Sequence, residues 1–273
     1  MIDLDRVSKK YEKGQPAVDE ISLHVDKGEF VFVVGDSGSG KSTLIKLLMK
    51  ELEPTSGFIT VNGHVLNTMS HKDIPAYRRE IGVVFQDFRL LENKNVYDNV
   101  AIALQVIGQS RKSIRQVVPD LLEMVGLGGK EKRLPHELSG GEQQRAAIAR
   151  AIVNRHPILL ADEPTGNLDP ETSLSIMNLL DRINRAGTTV VMATHDEKTV
   201  NQLRRRVIQL EDGEVVRDQE RGIYDGKSSK KAPARANKKT EAKPQPKSAS
   251  PRQEEKNSPT SKNAQAPKKG DDA

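Results

Sequence analysis

The chain has 273 residues, no cysteine and no tryptophan, with 35% hydrophobic and 30% charged residues, a length that suits one or two domains. The lack of cysteine excludes a disulfide framework, cysteine-ligated zinc, an iron–sulfur cluster and thiol catalysis. The net charge of +5 points to an anionic partner only until it is located along the chain: residues 226–273 hold 13 Lys and Arg against 5 Asp and Glu, a balance of +8, whereas residues 1–225 hold 30 against 33, a balance of −3.

The only hydrophobic residues of 226–273 are alanines. So little apolar surface cannot offset the entropy of ordering, and a disordered tail rich in Lys, Pro, Ser and Ala is expected. Two readings of it stay open. One is peripheral contact with an anionic membrane surface, at about 1 kcal/mol per lysine; the other is a solvated tail without a specific partner. Nucleic acid is disfavoured, because no aromatic residue is present there for base stacking. The longest unbroken apolar runs, 30–34 and 100–104, are five residues each, whereas a spanning helix needs roughly 20. The opening MIDLDRVSKK alternates charge with apolar residues and does not read as a secretory signal. A cytosolic chain is expected.

In chain order, short β-branched runs alternate with helical patterns, as in an α/β fold with a mostly parallel core sheet. GEFVFVVG (28–35) is dense enough for a strand buried on both faces. GDSGSGKS (35–42) follows, matching G-x-x-x-x-G-K-[ST], and leads into the helix-like TLIKLLMKEL (43–52). Gly35, Gly38 and Gly40 let the backbone turn tightly enough to aim N–H groups at phosphate, including those of Asp36, Ser37 and Ser39, and the helix start at Thr43 adds its dipole. Lys41 supplies a mobile cation for β- and γ-phosphates, and Ser42 a hydroxyl for Mg²⁺. An ordinary glycine-rich turn is the plainer alternative.

IGVVFQD (81–87) reads as another strand. Helical patterns such as SIRQVVPDLLEMVGL (113–127) then take over, and a helical subdomain of about 87–156 is expected. LSGGEQQ (138–144) precedes RAAIARAI, whose Ala147, Ile148, Ala151 and Ile152 form an apolar stripe. Ser139 stands where an N-cap belongs, so Ser139, Gly140 and Gly141 read as a second anion site or as a plain helix start. PILLADE (157–163) ends in Asp162, suited to Mg²⁺, and Glu163, suited to polarising an attacking water, or else in a solvated strand end.

TTVVMATHD (188–196) is the fourth strand. All four end in polar residues at the carboxyl end, where open α/β sheets place ligands. His195 and Asp196 look like metal ligands, yet His24, His64, His71, His136 and His156 lack paired helical spacing, so no structural zinc is expected. Arg204, Arg205 and Arg206 read as an anion patch or a solvated helix end.

Taken together, GDSGSGKS, LSGGEQQ, ILLADE, GNLD and ATHD, in this order, resemble the ATP-binding cassette family of ATPases over about residues 1–222. The resemblance implies a P-loop nucleotide-binding domain at 1–225, with a mostly parallel core sheet, an antiparallel β subdomain and an α-helical subdomain, followed by the tail at 226–273. It also implies ATP and Mg²⁺ as ligands. Two copies would pair head to tail as a homodimer, the phosphate loop of one and Ser139, Gly140 and Gly141 of the other clamping one ATP. Tyr11 matches the aromatic that stacks on adenine, a half-buried tyrosine being the plain alternative. Gln86 matches the glutamine that senses Mg²⁺ and water, and Asp169 in GNLD the loop that communicates between sites. His195 matches the switch histidine on γ-phosphate, and Glu163 the catalytic base. Asp36 stands where the family commonly has proline and Ser39 where alanine is common.

The stretch 81–104, QDFRLL at 86–91 above all, resembles the FtsE family of cell-division cassettes, as do 74–82, 149–173 and 188–196. This likeness implies the membrane protein FtsX as partner, gripped by a groove in the helical subdomain near the stretch from Gln86 to Leu91, with activation of peptidoglycan hydrolases at the septum as output. Lipoprotein-release and macrolide-efflux ATPases, which share LSGGEQQR and GNLD, are the alternative. A nucleic-acid-associated cassette protein is a third reading, disfavoured because only one phosphate loop is present.

Overall fold

The structure is a computed structural model that describes residues 1–12, 14–222 and 224; the expected disordered tail lies outside the described residues. In chain order come β1 (Ile2–Lys9), β2 (Val18–Val25), β3 (Phe30–Val34), α1 (Lys41–Leu48), β4 (Ser56–Val61), β5 (His64–Val65), α2 (Ile74–Arg78) and β6 (Ile81–Val84). Then follow α3 (Val96–Val106), α4 (Arg111–Met124), α5 (Gly140–Ile152), β7 (Ile158–Asp162), α6 (Pro170–Arg185), β8 (Thr189–Thr194), α7 (Glu197–Leu203), β9 (Arg206–Glu211) and β10 (Glu214–Gln219).

Two sheets result among the described residues. The six-stranded one has the order β10-β9-β3-β8-β7-β6. It is parallel throughout except for the edge hairpin of β9 with β10. The four-stranded one, β2-β1-β4-β5, is antiparallel. The four dense runs seen in the sequence are β3, β6, β7 and β8; β6 stops at Val84, before Gln86 and Asp87.

The period of two explains how the central strands hold both layers. Phe30, Phe32 and Val34 of β3 enter a core shared with Val100, Leu122, Ile148 and Ile176 of the helices, and Leu159 of β7 and Met192 of β8 join them. The intervening Val31 and Val33 enter a second core with Leu44 and Leu47 of α1 and with Ile2, Val25 and Ile59 of the antiparallel sheet. No polar residue interrupts β3, because neither face meets water. Within the helical stretch, α4 ends at Met124, with Gly126 at φ 79° beyond it. Buried Asn99 ties the preceding loop to α3: its amide donates to Leu91, Lys94 and Asn95 carbonyls and accepts from Leu91 N–H.

The arginine run is split: Arg204 is the exposed end of a helix, as one reading had it, whereas Arg205 and Arg206 are paired with carboxylates. Arg204 is the left-handed C-cap of α7, at φ 47°, and Arg205 pairs with Asp181 at 2.5 Å. Arg206 is buried in β9, 2.7 Å from Asp218 and 3.0 Å from Glu29, and donates to the His24 carbonyl. Asp218 first, and Glu29 after it, hold its guanidinium above its ordinary range. These partners lie on other elements or the loop before β3, so local charge density carried no sign of them. Arg206→Ala is expected to cost about 2 kcal/mol, below the range for fully buried pairs because both carboxylates keep some solvent. Urea unfolding measures it, and an unchanged midpoint would contradict the assignment.

Candidate active site

The loop at 35–42 joins the carboxyl end of β3 to α1 with three glycines at positive φ: Gly35 at 148°, Gly38 at 86° and Gly40 at 106°. Two of them are also fixed by space. A Cβ on Gly35 would lie 2.2 Å from the Leu210 carbonyl, and one on Gly40 2.2 Å from the Ala17 carbonyl. The loop is therefore folded tightly against β9 and the start of β2. Lys41 is buried and donates to the Gly35 and Asp36 carbonyls at 2.8 Å each. Burial pushes its ammonium below the usual lysine range, opposed by the charges of Glu163, Asp162 and Asp36. The Ser39 hydroxyl is buried without a hydrogen-bond partner among the described residues, which suits a position where the family commonly has alanine.

Ser42 Oγ donates to Asp162 Oδ1 at 3.0 Å, joining α1 to the end of β7. Burial raises the Asp162 carboxyl, with the Ser42 hydrogen bond opposing and the Glu163 charge adding to the rise. Glu163 follows at φ 47°, a left-handed conformation that costs a non-glycine residue about 1 kcal/mol or more. Its N–H bonds the Ala193 carbonyl, and its Oε1 lies 3.1 Å from Nδ1 of His195, just beyond β8. Glu163 and His195 line a cleft of 610 Å³ with Gly166, Leu168 and Thr199. Tyr11 is exposed, and its hydroxyl lies 3.4 Å from Thr43 Oγ1, so its ring stands beside the start of α1.

Gln86 meets the loop after β7 through a residue the sequence reading missed. Its Nε2 donates to Asn167 Oδ1 at 3.4 Å, and Asn167 Nδ2 donates back to the Gln86 carbonyl at 3.3 Å. The side chain of Asp169 is committed locally: it caps α6, accepting from Glu171 and Thr172 N–H. The Thr172 hydroxyl first, and the Thr172 N–H after it, hold its carboxyl below the usual range. Asp196 likewise caps α7, so the metal-ligand look of the ATHD segment reflects a helix start.

Ser139 is the N-cap of α5 in a reciprocal box with Glu142, leaving the Gly140 and Gly141 N–H groups without intrahelical acceptors. Only glycine fits at 141, where a Cβ would lie 2.3 Å from Thr172 Cγ2. Among the described residues no hydrogen bond joins 139–141 to 35–43. The structure thus brings Tyr11, the phosphate loop, Asp162, Glu163, His195 and Gln86 around the carboxyl ends of the parallel strands, and leaves the Ser139 turn unattached to them.

The ABC transporter family profile matches residues 18–166. The cell division ATP-binding protein FtsE of Mycobacterium tuberculosis is 59% identical over 225 residues, covering 82% of this chain and 98% of that protein. FtsE of Bacillus subtilis is 52% identical, covering 82% and 98%. Among solved structures, the ATP-binding cassette MJ0796, seen as a dimer in a post-hydrolysis state with ADP and Pi, is 36% identical with a TM-score of 0.75, covering 82% of this chain and all of that one. The chain is therefore an ATPase of the ATP-binding cassette family and belongs to its FtsE branch.

Proposed function

We propose that this chain works as a homodimer that closes on ATP and, through FtsX, couples its hydrolysis to peptidoglycan hydrolase activation at the cytoplasmic side of the dividing membrane. The observation that carries the dimer is the separation of two complementary anion sites: the loop at 35–42 with its lysine, and the Ser139, Gly140 and Gly141 turn, which share no hydrogen bond among the described residues. The dimeric MJ0796 cassettes support the same reading.

In this mechanism Tyr11 supports the adenine, and the loop N–H groups of Gly35, Asp36, Ser37, Gly38, Ser39 and Gly40 surround the phosphates, with Thr43 at the helix start. Lys41 exchanges its two loop carbonyls for β- and γ-phosphate oxygens. Glu163 accepts a proton from the attacking water, and Gln86 orients that water. With His195 Nδ1 beside Glu163, Nε2 is the ring nitrogen left to contact the γ-phosphoryl group. The Ser139 turn of the second copy, with Asp169 beside it, completes the clamp. Two such half-sites make turnover depend on pairing.

Ser42 and Asp162, with Gln86 alongside, are the residues that would hold Mg²⁺. A hydroxyl and a carboxylate 3.0 Å apart are hard oxygen donors, and burial raises that carboxyl despite the opposing charges of Lys46 and Lys41, leaving room for a further cation. When bound, the ion neutralises charge developing on the phosphate oxygens.

FtsX as partner is supported by the FtsE relatives and by apolar surface at Leu91, Val106 and Ile107, on the loop after Gln86 and at the end of α3. No helix of the described residues is long and apolar enough to cross a membrane. The tail at 226–273, with its balance of +8, adds peripheral contact with anionic lipid in this reading.

Glu163→Gln is expected to bind ATP, accumulate as a dimer in size-exclusion chromatography with light scattering, and lose turnover by at least about a hundredfold. A monomer with undiminished hydrolysis would defeat the mechanism. Co-purification from membranes tests the partner: retention of FtsX supports the division role, and retention of an export permease in its place rejects it. Asp162→Asn should abolish turnover yet stabilise the nucleotide-free protein. The Asp162 carboxyl is raised from 3.8 on folding, so it opposes folding above its folded pKa and is neutral in both states well below 3.8. The gain in melting temperature should accordingly be present at pH 7 and vanish as pH falls below about 4. A neutral-pH loss of stability would refute this.

A further inference from the structure

The segment leaving Gln86 is held in an uncommon conformation. Phe88 and Arg89 both sit in the left-handed region, at φ 54° and 48°. Two consecutive non-glycine residues persist there only where the surroundings over-determine them. Arg150, in the last turn of α5, supplies that constraint: its Nη1 donates to the Arg89 carbonyl at 2.5 Å and its Nη2 to the Phe88 carbonyl at 2.9 Å. The fork of the guanidinium matches two adjacent carbonyls only when both point toward it. Helical side chains lean toward their own N-terminus, so Arg150 reaches back along α5.

Arg150 has no carboxylate partner among the described residues, and burial lowers its pKa, so these two dipoles are what balances its charge. Two further contacts link the segment to its surroundings. The Phe88 ring lies 3.9 Å from where a Cβ on Gly140 would be, at the other end of α5. Gln86 itself is held on its far side by Asn167.

We infer that Arg150 is a positioning residue for ATP hydrolysis: by gripping the Phe88 and Arg89 carbonyls it makes α5, which carries the Ser139 turn, and the segment of Gln86 move as one piece. The inference rests on the reading of Gln86 as the residue that orients the attacking water. Docking of a nucleotide on the Ser139 turn then reaches Gln86 through the helix that Arg150 spans, without an intervening flexible joint.

The test uses the full chain with Mg²⁺ and ATP. Arg150→Gln, which keeps a single amide donor, is expected to bind a fluorescent ATP analogue within about threefold of the parent and to keep KM, while kcat falls about tenfold. Hydrogen exchange at the amides of residues 87–91 should rise. In a Gln86→Ala background, Arg150→Gln should cost no further kcat, because the strut acts through that side chain. Additive losses, or a parental kcat, would overturn the strut. Should Arg150→Gln fail to fold, Arg150→Lys, a single cation without the fork, reads the same split. A Gln86→Ala variant with parental turnover would remove the reading of Gln86 and the strut with it. A strong Gln86 effect beside an inert Arg150 would remove the strut alone.

Discussion

The hydrogen bond from Ser42 to Asp162, closed across 120 residues of chain at 3.0 Å, depends on the order of the parallel strands. β3 and β7 flank β8, with Val34 opposite Thr194 and Asp162 opposite Ala193. All three therefore end at one edge of the sheet, and whatever follows them is brought together. The phosphate loop follows β3, Glu163 follows β7 and His195 follows β8. That registry in turn needs strands apolar on both faces, since Phe32 and Val33 serve opposite cores. The chemistry at the edge is thus a by-product of how the centre is packed.

The same edge is where the fold gives up stability. Glu163 is held at positive φ, the Asp162 carboxyl is driven up by burial, the Lys41 ammonium is driven down, and the Ser39 hydroxyl is buried unpaired among the described residues. Each is unfavourable for a free-standing domain. Compensation comes from the doubly paired Arg206, outside the site, and from the capped starts of α5, α6 and α7. Asp169 shows how closely the two uses adjoin, since the residue expected to communicate between sites is also the one that starts α6.

What was legible in the sequence was local. The GDSGSGKS loop declares itself because backbone turn, cation and hydroxyl must fall within eight residues, and Ser139 does so because its capping partner, Glu142, is three residues away. β3 and β8 were legible from apolar density alone. Asn167 was not, since nothing near it indicates that its amide meets Gln86, 81 residues earlier. Arg150 sits in a helix whose pattern marks only the apolar stripe, and its two carbonyl partners are backbone groups present in any sequence. The arginine run misled for the same reason: Glu29 lies 177 residues from Arg206. Spacing reveals partners within a turn or two of helix, and burial of distant polar pairs leaves no periodic trace.

The position of β3 at the middle of the sheet has a bearing on biogenesis. This strand is made early, yet both of its neighbours, β8 and β9, lie beyond residue 188. During synthesis its five apolar residues must wait, without hydrogen-bonded neighbours, until nearly all of the described chain has emerged. Such delayed pairing of distant segments is slow and leaves sticky intermediates. The nucleotide cradle thus cannot be completed until β8 and β9 have been made, and shielding of nascent β3 falls to α1 or to chaperones.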